Sequence, residues 1–351
     1  MNVNHGELNE LIRTSYETRL PLFIWGAVGI GKSQAVRQAA KDLAKKIGKE
    51  YSENGNEEAF RMIERRVSQM EPSDMLGLPT FNDDKSQTKW IAPNWLPRKG
   101  TGILFLDELN LAPPSIQSAC YQLILDRRVG DYILPEGFIV LAAGNRMEDR
   151  ANVFDIPAPL ANRFLHCELM LPSIEEWTDW ALINDIDSKI IAFLQFKPIA
   201  LHMFDKNIKD KSFPTPRTWA GYANKLMQAG QEKFIASAIG EGIASEFEAF
   251  LKLQKTIDYN QILENPKMAE KVKEIDMLFV LVGGLAEKVR NDTKKFENGI
   301  NVTMHLPTEY GILLLRMIKA VNQPYFMANI QKVKNWKEIW EKYGKYLTGG
   351  E

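Results

Sequence analysis

Cysteine is nearly absent from this chain: Cys120 and Cys167 are the only two in 351 residues. Their spacing builds neither a disulfide framework nor a zinc site, so the expectation is a reducing compartment with both thiols in the core. Long apolar runs are missing too. The longest, Met277 to Ala286, is about half of the ~20 residues that a bilayer-spanning helix requires, so no membrane-embedded segment is expected. The opening stretch MNVNHGELNELIR has no basic start followed by an apolar core, which leaves nothing to mark it for secretion and makes cytoplasmic the expected location. An excess of one charge is also lacking. Forty-four Lys and Arg against 45 Asp and Glu give a formal charge of -1, which removes the global attraction of a dedicated nucleic-acid binder and leaves room only for a local basic groove. Internal repeats and low-complexity tracts are absent as well.

What the chain does have is enough apolar material to fold, at 45% hydrophobic and 25% charged residues, and a length that suits about two to three domains. In the first half, short β-rich runs alternate with helical patterns, the rhythm of an α/β core with a parallel sheet and helices on both faces. The strands expected are Leu22 to Trp25, Arg65 to Met70, Ile103 to Leu106, Phe138 to Ala143 and Leu165 to Leu169. Lys49 to Glu58 and Asn82 to Gln87 read as exposed loops. After about Pro172 helical periodicity takes over, with Trp219, Tyr222 and Leu226 expected on one face. Near the end, Val333, Trp336, Ile339, Trp340 and Tyr343 form an apolar stripe opposite Lys332, Lys334, Lys337 and Lys342, the pattern of an amphipathic helix packed on a core.

Between an apolar strand and a helix lies Gly26-Ala27-Val28-Gly29-Ile30-Gly31-Lys32-Ser33, two glycines flanking four residues with Lys-Ser after them. Glycines in such a loop let backbone N–H groups curl around phosphate oxygens at a helix N-terminus, where the helix dipole adds positive potential. The candidate nucleotide-binding set is therefore Gly26, Val28, Gly29, Ile30, Gly31, Lys32, Ser33 and Gln34. Lys32 is expected at the β- and γ-phosphates, and the Ser33 hydroxyl at Mg2+, a hard cation that prefers oxygen ligands. A glycine-rich turn without a ligand would explain neither Lys32 nor Ser33.

Ile103 to Leu106 runs into Asp107-Glu108, so a buried strand delivers two acids at its carboxyl end, the edge where open α/β sheets bind ligands. Asp107 is expected in the Mg2+ shell. Glu108 is placed to polarise a water for in-line attack on a γ-phosphate. Phe138 to Ala143 ends at Gly144-Asn145, where a neutral amide can orient the same water without adding charge. The chain has no Asn-Lys-x-Asp segment of the kind that reads guanine, so the expected nucleotide is ATP.

In this order, the phosphate loop, LFLDELNLAPPSIQSA, LAAGNRME and PLANRF resemble the AAA+ ATPases, and most specifically the MoxR-like, helix-two-insert branch related to dynein and midasin, over roughly residues 10 to 225. The resemblance implies a P-loop core with a five-stranded parallel sheet over residues 1–171, an all-helical lid over 172–260 and a C-terminal helical extension over 261–351. It also implies Mg2+-dependent ATP hydrolysis in a homo-oligomeric, hexameric ring. By the same resemblance Arg163 is the finger inserted into the neighbour's site, where a guanidinium supplied in trans makes hydrolysis depend on assembly. Arg217, after Pro216 at the start of a lid helix, is the second sensor, acting on its own or a neighbour's nucleotide. Residues 71–97 correspond to the family's hairpin insertion, with Phe81, Trp90 and Trp95 either contact residues or buried. Two departures stand out: Leu111 follows Asn110 where the family often has Arg, and residues 261–351 have no counterpart.

The function expected is a chaperone-like motor that remodels a protein partner, with a von Willebrand factor A domain protein as the partner implied by the resemblance. The alternative is a nucleic-acid-associated motor of restriction or translocase type, against which the balanced charge weighs. A third reading, a module that only binds nucleotide, leaves Glu108, Asn145 and Arg163 without a purpose.

Overall fold

The structure is a computed structural model that describes residues 1–53, 55–146, 154–204 and 211–347. It divides into two units, Met1–Pro172 and Ser173–Glu351. In the first unit the elements run β1 (Asn2–Val3), α1 (His5–Thr18), β2 (Leu22–Trp25), α2 (Lys32–Lys46), β3 (Tyr51–Ser52), β4 (Phe60–Arg66), α3 (Pro72–Leu76), β5 (Leu78–Phe81) and β6 (Thr88–Ile91). They continue with β7 (Thr101–Asp107), α4 (Pro114–Asp126), β8 (Arg128–Val129), β9 (Tyr132–Ile133), β10 (Phe138–Gly144), α5 (Ala158–Ala161) and β11 (Leu165–Leu169). The main sheet has the order β1-β11-β2-β10-β7-β4-β3, and every pairing in it is parallel. Five strands of four to seven residues make the expected core, and the two-residue β1 and β3 extend it at the edges.

The strands are apolar on both faces because both faces are covered. In β7, Leu104 and Leu106 join one cluster of buried side chains, while Ile103 and Phe105 join another; β10 splits the same way, Phe138, Val140 and Ala142 against Ile139, Leu141 and Ala143. This is the two-residue alternation of a pleated strand. One face meets Leu8 and Ile12 of α1 and Val36, Ala39, Ala40 and Leu43 of α2. The other meets Met75 of α3 and Ile116, Cys120, Leu123 and Ile124 of α4.

One strand lies elsewhere than the sequence led us to expect. The second core strand is Phe60–Arg66, and Val67–Gln69 is a 3-10 turn, whereas Arg65 to Met70 was the expectation. A charge stands at the strand's second residue: Arg61 is buried, donates to the Lys99 carbonyl at 2.5 Å and stacks over the Phe138 ring at 5.2 Å. Arg61 is here a core residue whose head group is met by one carbonyl and one aromatic ring, while its Nε is buried without a hydrogen-bond partner. Within the expected loop at Lys49 to Glu58, Tyr51–Ser52 is an edge strand. β5 and β6 form an antiparallel hairpin whose turn is Asn82 to Gln87; Phe81 and Trp90 are exposed rather than buried, while Trp95 is half-buried with its indole N–H on the Asp74 carbonyl at 2.9 Å.

Among its described residues the second unit is helical, around one cluster of buried side chains that runs from Trp177 to Tyr343. Helices Ser188–Phe196, Ile275–Asn291 and Thr308–Val321 contribute to it. Trp219 is fully buried, but Tyr222 is 57% exposed and not on its face. The cause is a π-helical turn over Trp219–Ala223, which puts one more residue into the turn and shifts the register so that Ala223 is buried instead. The last helix, Trp336–Leu347, behaves as its stripe requires: Val333, Ile339 and Tyr343 are buried, Lys332, Lys334 and Lys337 exposed. Trp340 is the exception, nearly half exposed and packed against Trp336. No described helix is long and apolar enough to cross a membrane.

Ile339 is fully buried, so Ile339→Ala should lower the unfolding free energy of the second unit by about 2–5 kcal/mol, whereas Lys337→Ala should stay within about 0.5 kcal/mol. Urea titrations that give the two variants equal midpoints would show that this stripe does not anchor the helix.

Candidate functional site

The phosphate-type loop leaves β2 at Trp25 and enters α2 at Lys32. Gly29 and Gly31 have φ of 78° and 98°, left-handed conformations that a side chain would strain. Gly31 caps α2 and, having no side chain, supplies no side-chain cap hydrogen bond to this 15-residue helix, whose N-terminal dipole favours an anion.

Lys32 is 8% exposed, and its Nζ donates to the Gly26 carbonyl at 2.7 Å, the Ala27 carbonyl at 3.0 Å and Asn145 Oδ1 at 2.9 Å. Ser33 Oγ donates to Asp107 Oδ2 at 2.8 Å. Asp107 is itself buried, and its Oδ1 accepts the Glu108 N–H at 3.0 Å. Three separate sequence segments are thus bonded at the carboxyl edge of the sheet, where open α/β sheets present their ligands. Glu108 sits at φ 59°, ψ 33°, an uncommon left-handed position for a non-glycine residue.

The remaining candidates fall as follows. Val28 is half-buried, Gly26, Gly29 and Ile30 are buried, and Gln34 is exposed with its Oε1 accepting from Arg37 at 3.2 Å. Arg163 is exposed just beyond α5, its amide N–H on the Leu160 carbonyl, and the structure does not bond it to the Lys32–Asp107–Asn145 cluster. Arg217 is exposed in the second unit at the start of Pro216–Thr218, a turn capped by Thr215. Met147 and Glu148 of the LAAGNRME segment lie outside the described residues.

Four groups escaped the sequence reading. Ser68 donates its hydroxyl to Glu108 Oε2; it was hidden because the displaced second strand put it inside a strand rather than at the edge. Asn110 is 1% exposed and hydrogen-bonds the Asn145 backbone. Arg146 pairs with Glu168 of β11 at 2.6 Å. Glu64 pairs with Arg37 at 2.7 Å; burial pushes its carboxyl above the ordinary value, Arg37 opposes that, and the nearby Asp107 charge adds to it. A buried polar residue within an apolar segment, as at Asn110, is the one signal that could have been found in advance.

Among the described residues no cluster of three or more His, Cys, Asp or Glu side chains could hold a metal ion. The oxygen pair of Ser33 and Asp107 nonetheless fits Mg2+, which commonly takes one or two protein ligands and completes its shell from phosphates and water.

No family model matches the chain, and no curated protein matches it. Solved structures similar to it include a candidate ATPase of Cytophaga hutchinsonii, at 20% identity over 51% of this chain and 50% of that one, with a TM-score of 0.37. Another is Hsp104 with ATPγS and casein in a closed state, at 16% identity, 65% and 42% coverage and a TM-score of 0.36. A third is NtrX of Brucella abortus in complex with ADP, at 12% identity, 95% and 68% coverage and a TM-score of 0.37. The chain thus spans half of the first of these proteins and less than half of the second. At such scores the functional reading has to stand on this chain's own residues.

Neither thiol belongs to the cluster. Burial pushes Cys120 up to about 12 and Cys167 up to about 11, which leaves almost no thiolate near neutrality. Folded protein should therefore give no reaction with a disulfide reagent at pH 8 and two thiols per chain after denaturation; rapid labelling in the native state would contradict the burial of both.

Proposed function

We propose that this chain is a Mg2+-dependent ATPase of the AAA+ type that works as a MoxR-like remodelling subunit. The observation that carries the proposal is the bonding of Lys32 to Asn145 and of Ser33 to Asp107, which gathers residues from three distant motifs around one small space. The MoxR assignment, the hexameric ring and a von Willebrand factor A domain partner rest on the motif resemblance, as do the division into a lid at 172–260 and an extension at 261–351.

In this reading the β- and γ-phosphates of ATP lie along the Gly26–Gly31 loop and take the N–H donors of the α2 terminus. Lys32 exchanges the Gly26 and Ala27 carbonyls for phosphate oxygens, a charge-assisted pairing stronger than a neutral one. Ser33 and Asp107 would hold Mg2+, which when bound would supply charge neutralisation to the phosphate oxygens. Asn145 keeps its amide beside the γ-phosphate and orients the attacking water. The Glu108 carboxylate accepts the proton of that water, and the Ser68 hydroxyl competes with the water for the same oxygen. Arg163, exposed and outside the cluster, is available to a neighbouring subunit's γ-phosphate, so turnover is completed only in an assembly.

Lys32→Ala should weaken nucleotide binding, while Glu108→Gln should bind ATP normally and lose turnover by roughly 100-fold or more. Arg163→Ala should be inactive alone and regain activity when mixed with Glu108→Gln subunits, since each then supplies what the other lacks. Specific ATPase activity measured against protein concentration, with mass photometry on the same samples, decides the matter. A rate that climbs as assemblies form supports the shared site; a concentration-independent rate in a monomer removes Arg163 from it, and an unaltered rate in Glu108→Gln removes Glu108.

A further inference from the structure

The β7–β10 ladder ends at the pair Leu106–Ala142, yet the two strands' extensions remain locked together beyond it by one side chain. Asn110 Nδ2 donates to the Asn145 carbonyl at 2.7 Å, and Asn110 Oδ1 accepts the Asn145 N–H at 3.1 Å. Two reciprocal bonds from one planar amide, to the N–H and the carbonyl of the same residue, fix the orientation of the Asn145 backbone as well as its distance beyond the end of the parallel ladder. At 1% exposure Asn110 has no water to take over either bond. Gly144 makes room for the contact. A Cβ there would lie 2.6 Å from Asn110 Oδ1 and 2.9 Å from the Phe23 ring, so any side chain at Gly144 would push the amide away. The Asn110 carbonyl also accepts the Phe154 N–H at 2.8 Å, which fixes Asn110 itself from the far side.

We propose that Asn110 is a positioning residue for ATP hydrolysis, acting through Asn145. It ties the segment that carries Asp107 and Glu108 to the backbone of Asn145, whose side-chain oxygen accepts from Lys32, and so holds acid, amide and lysine in one register. The proposal rests on the ATPase reading above. Its chemistry follows from how steeply water activation depends on geometry: an amide displaced by about 1 Å loses much of its value in orienting a nucleophile.

The test is a double-mutant cycle of Asn110→Asp with Asn145→Ala, read by single-turnover hydrolysis at saturating ATP, by the Kd for a fluorescent ATP analogue, and by hydrogen exchange at the Asn145 amide. Asn110→Asp keeps the acceptor for the Asn145 N–H but sets a carboxylate oxygen against the Asn145 carbonyl. Hydrolysis should fall roughly 10- to 100-fold with Kd within about twofold of the parent, and the same substitution should cost less than about twofold when Asn145 is already Ala. Gly144→Ala, which presses on the contact from the other side, should reproduce the pattern, so an ill-folded Asn110→Asp does not end the test. Losses that multiply in the cycle, or that appear in Kd rather than in hydrolysis, overturn the positioning role while the ATPase reading stands. Asn145 amide exchange that is equally slow in the parent and in Asn110→Ala overturns the pairing itself. A parent protein that hydrolyses no ATP overturns the ATPase reading and this role with it, whatever the exchange shows.

Discussion

A carboxylate held 9% exposed at the end of a buried strand has to be met by donors, because an isolated charge so placed would cost several kcal/mol or neutralise itself. Asp107 is in that position because β7 lies between β4 and β10 and is covered on both faces. Such a strand can carry only apolar side chains along its length, so its first polar group emerges where the sheet ends. The donors that meet Asp107 are the Ser33 hydroxyl and the Glu108 N–H. The first belongs to the helix that follows β2, two places away in the sheet, and this one requirement draws the phosphate-type loop to the acid pair. The remaining contacts, Lys32 to Asn145 and Asn145 to Asn110, close the same gap from the β10 side.

Much of that arrangement could be read in advance, because its elements are locally self-declaring. The Gly26–Ser33 loop needs its glycines for left-handed backbone, β7 and β10 are uninterrupted apolar runs, and the C-terminal stripe has helical spacing; each is a pattern within one segment. What could not be read depends on partners far away in sequence. The burial of Arg61 depends on Lys99 and Phe138, which receive its head group, and the strand expected at Arg65 to Met70 instead of Phe60–Arg66 concealed Ser68. The π-helical turn after Thr218 leaves no trace in residue type, so the face of Tyr222 was misread. The roles of Asn110 and Ser68 depend on long-range hydrogen bonds, to the Asn145 backbone and to the Glu108 carboxylate, which spacing alone does not encode.

The contacts of Lys32 also bear on how the site would bind nucleotide on the proposed ATPase reading. A buried ammonium without partners would be a strained state that phosphate relieves, and binding would then draw on that relief. Here the ammonium is already met by two backbone carbonyls and the Asn145 amide oxygen, so the lysine contributes only the difference between a charge-assisted bond to phosphate and the neutral acceptors it gives up. On that reading the same economy would govern Asn145, which would release or share Lys32 as the γ-phosphate arrives. If Asn145 were free to swing, the lysine's departure would leave it disordered at the moment it has to orient water. Its backbone, pinned on both the N–H and the carbonyl by Asn110, does not move with the side chain. On the proposed reading, Lys32 would exchange the Gly26 and Ala27 carbonyls for phosphate oxygens while the Asn110 amide keeps hold of the Asn145 peptide.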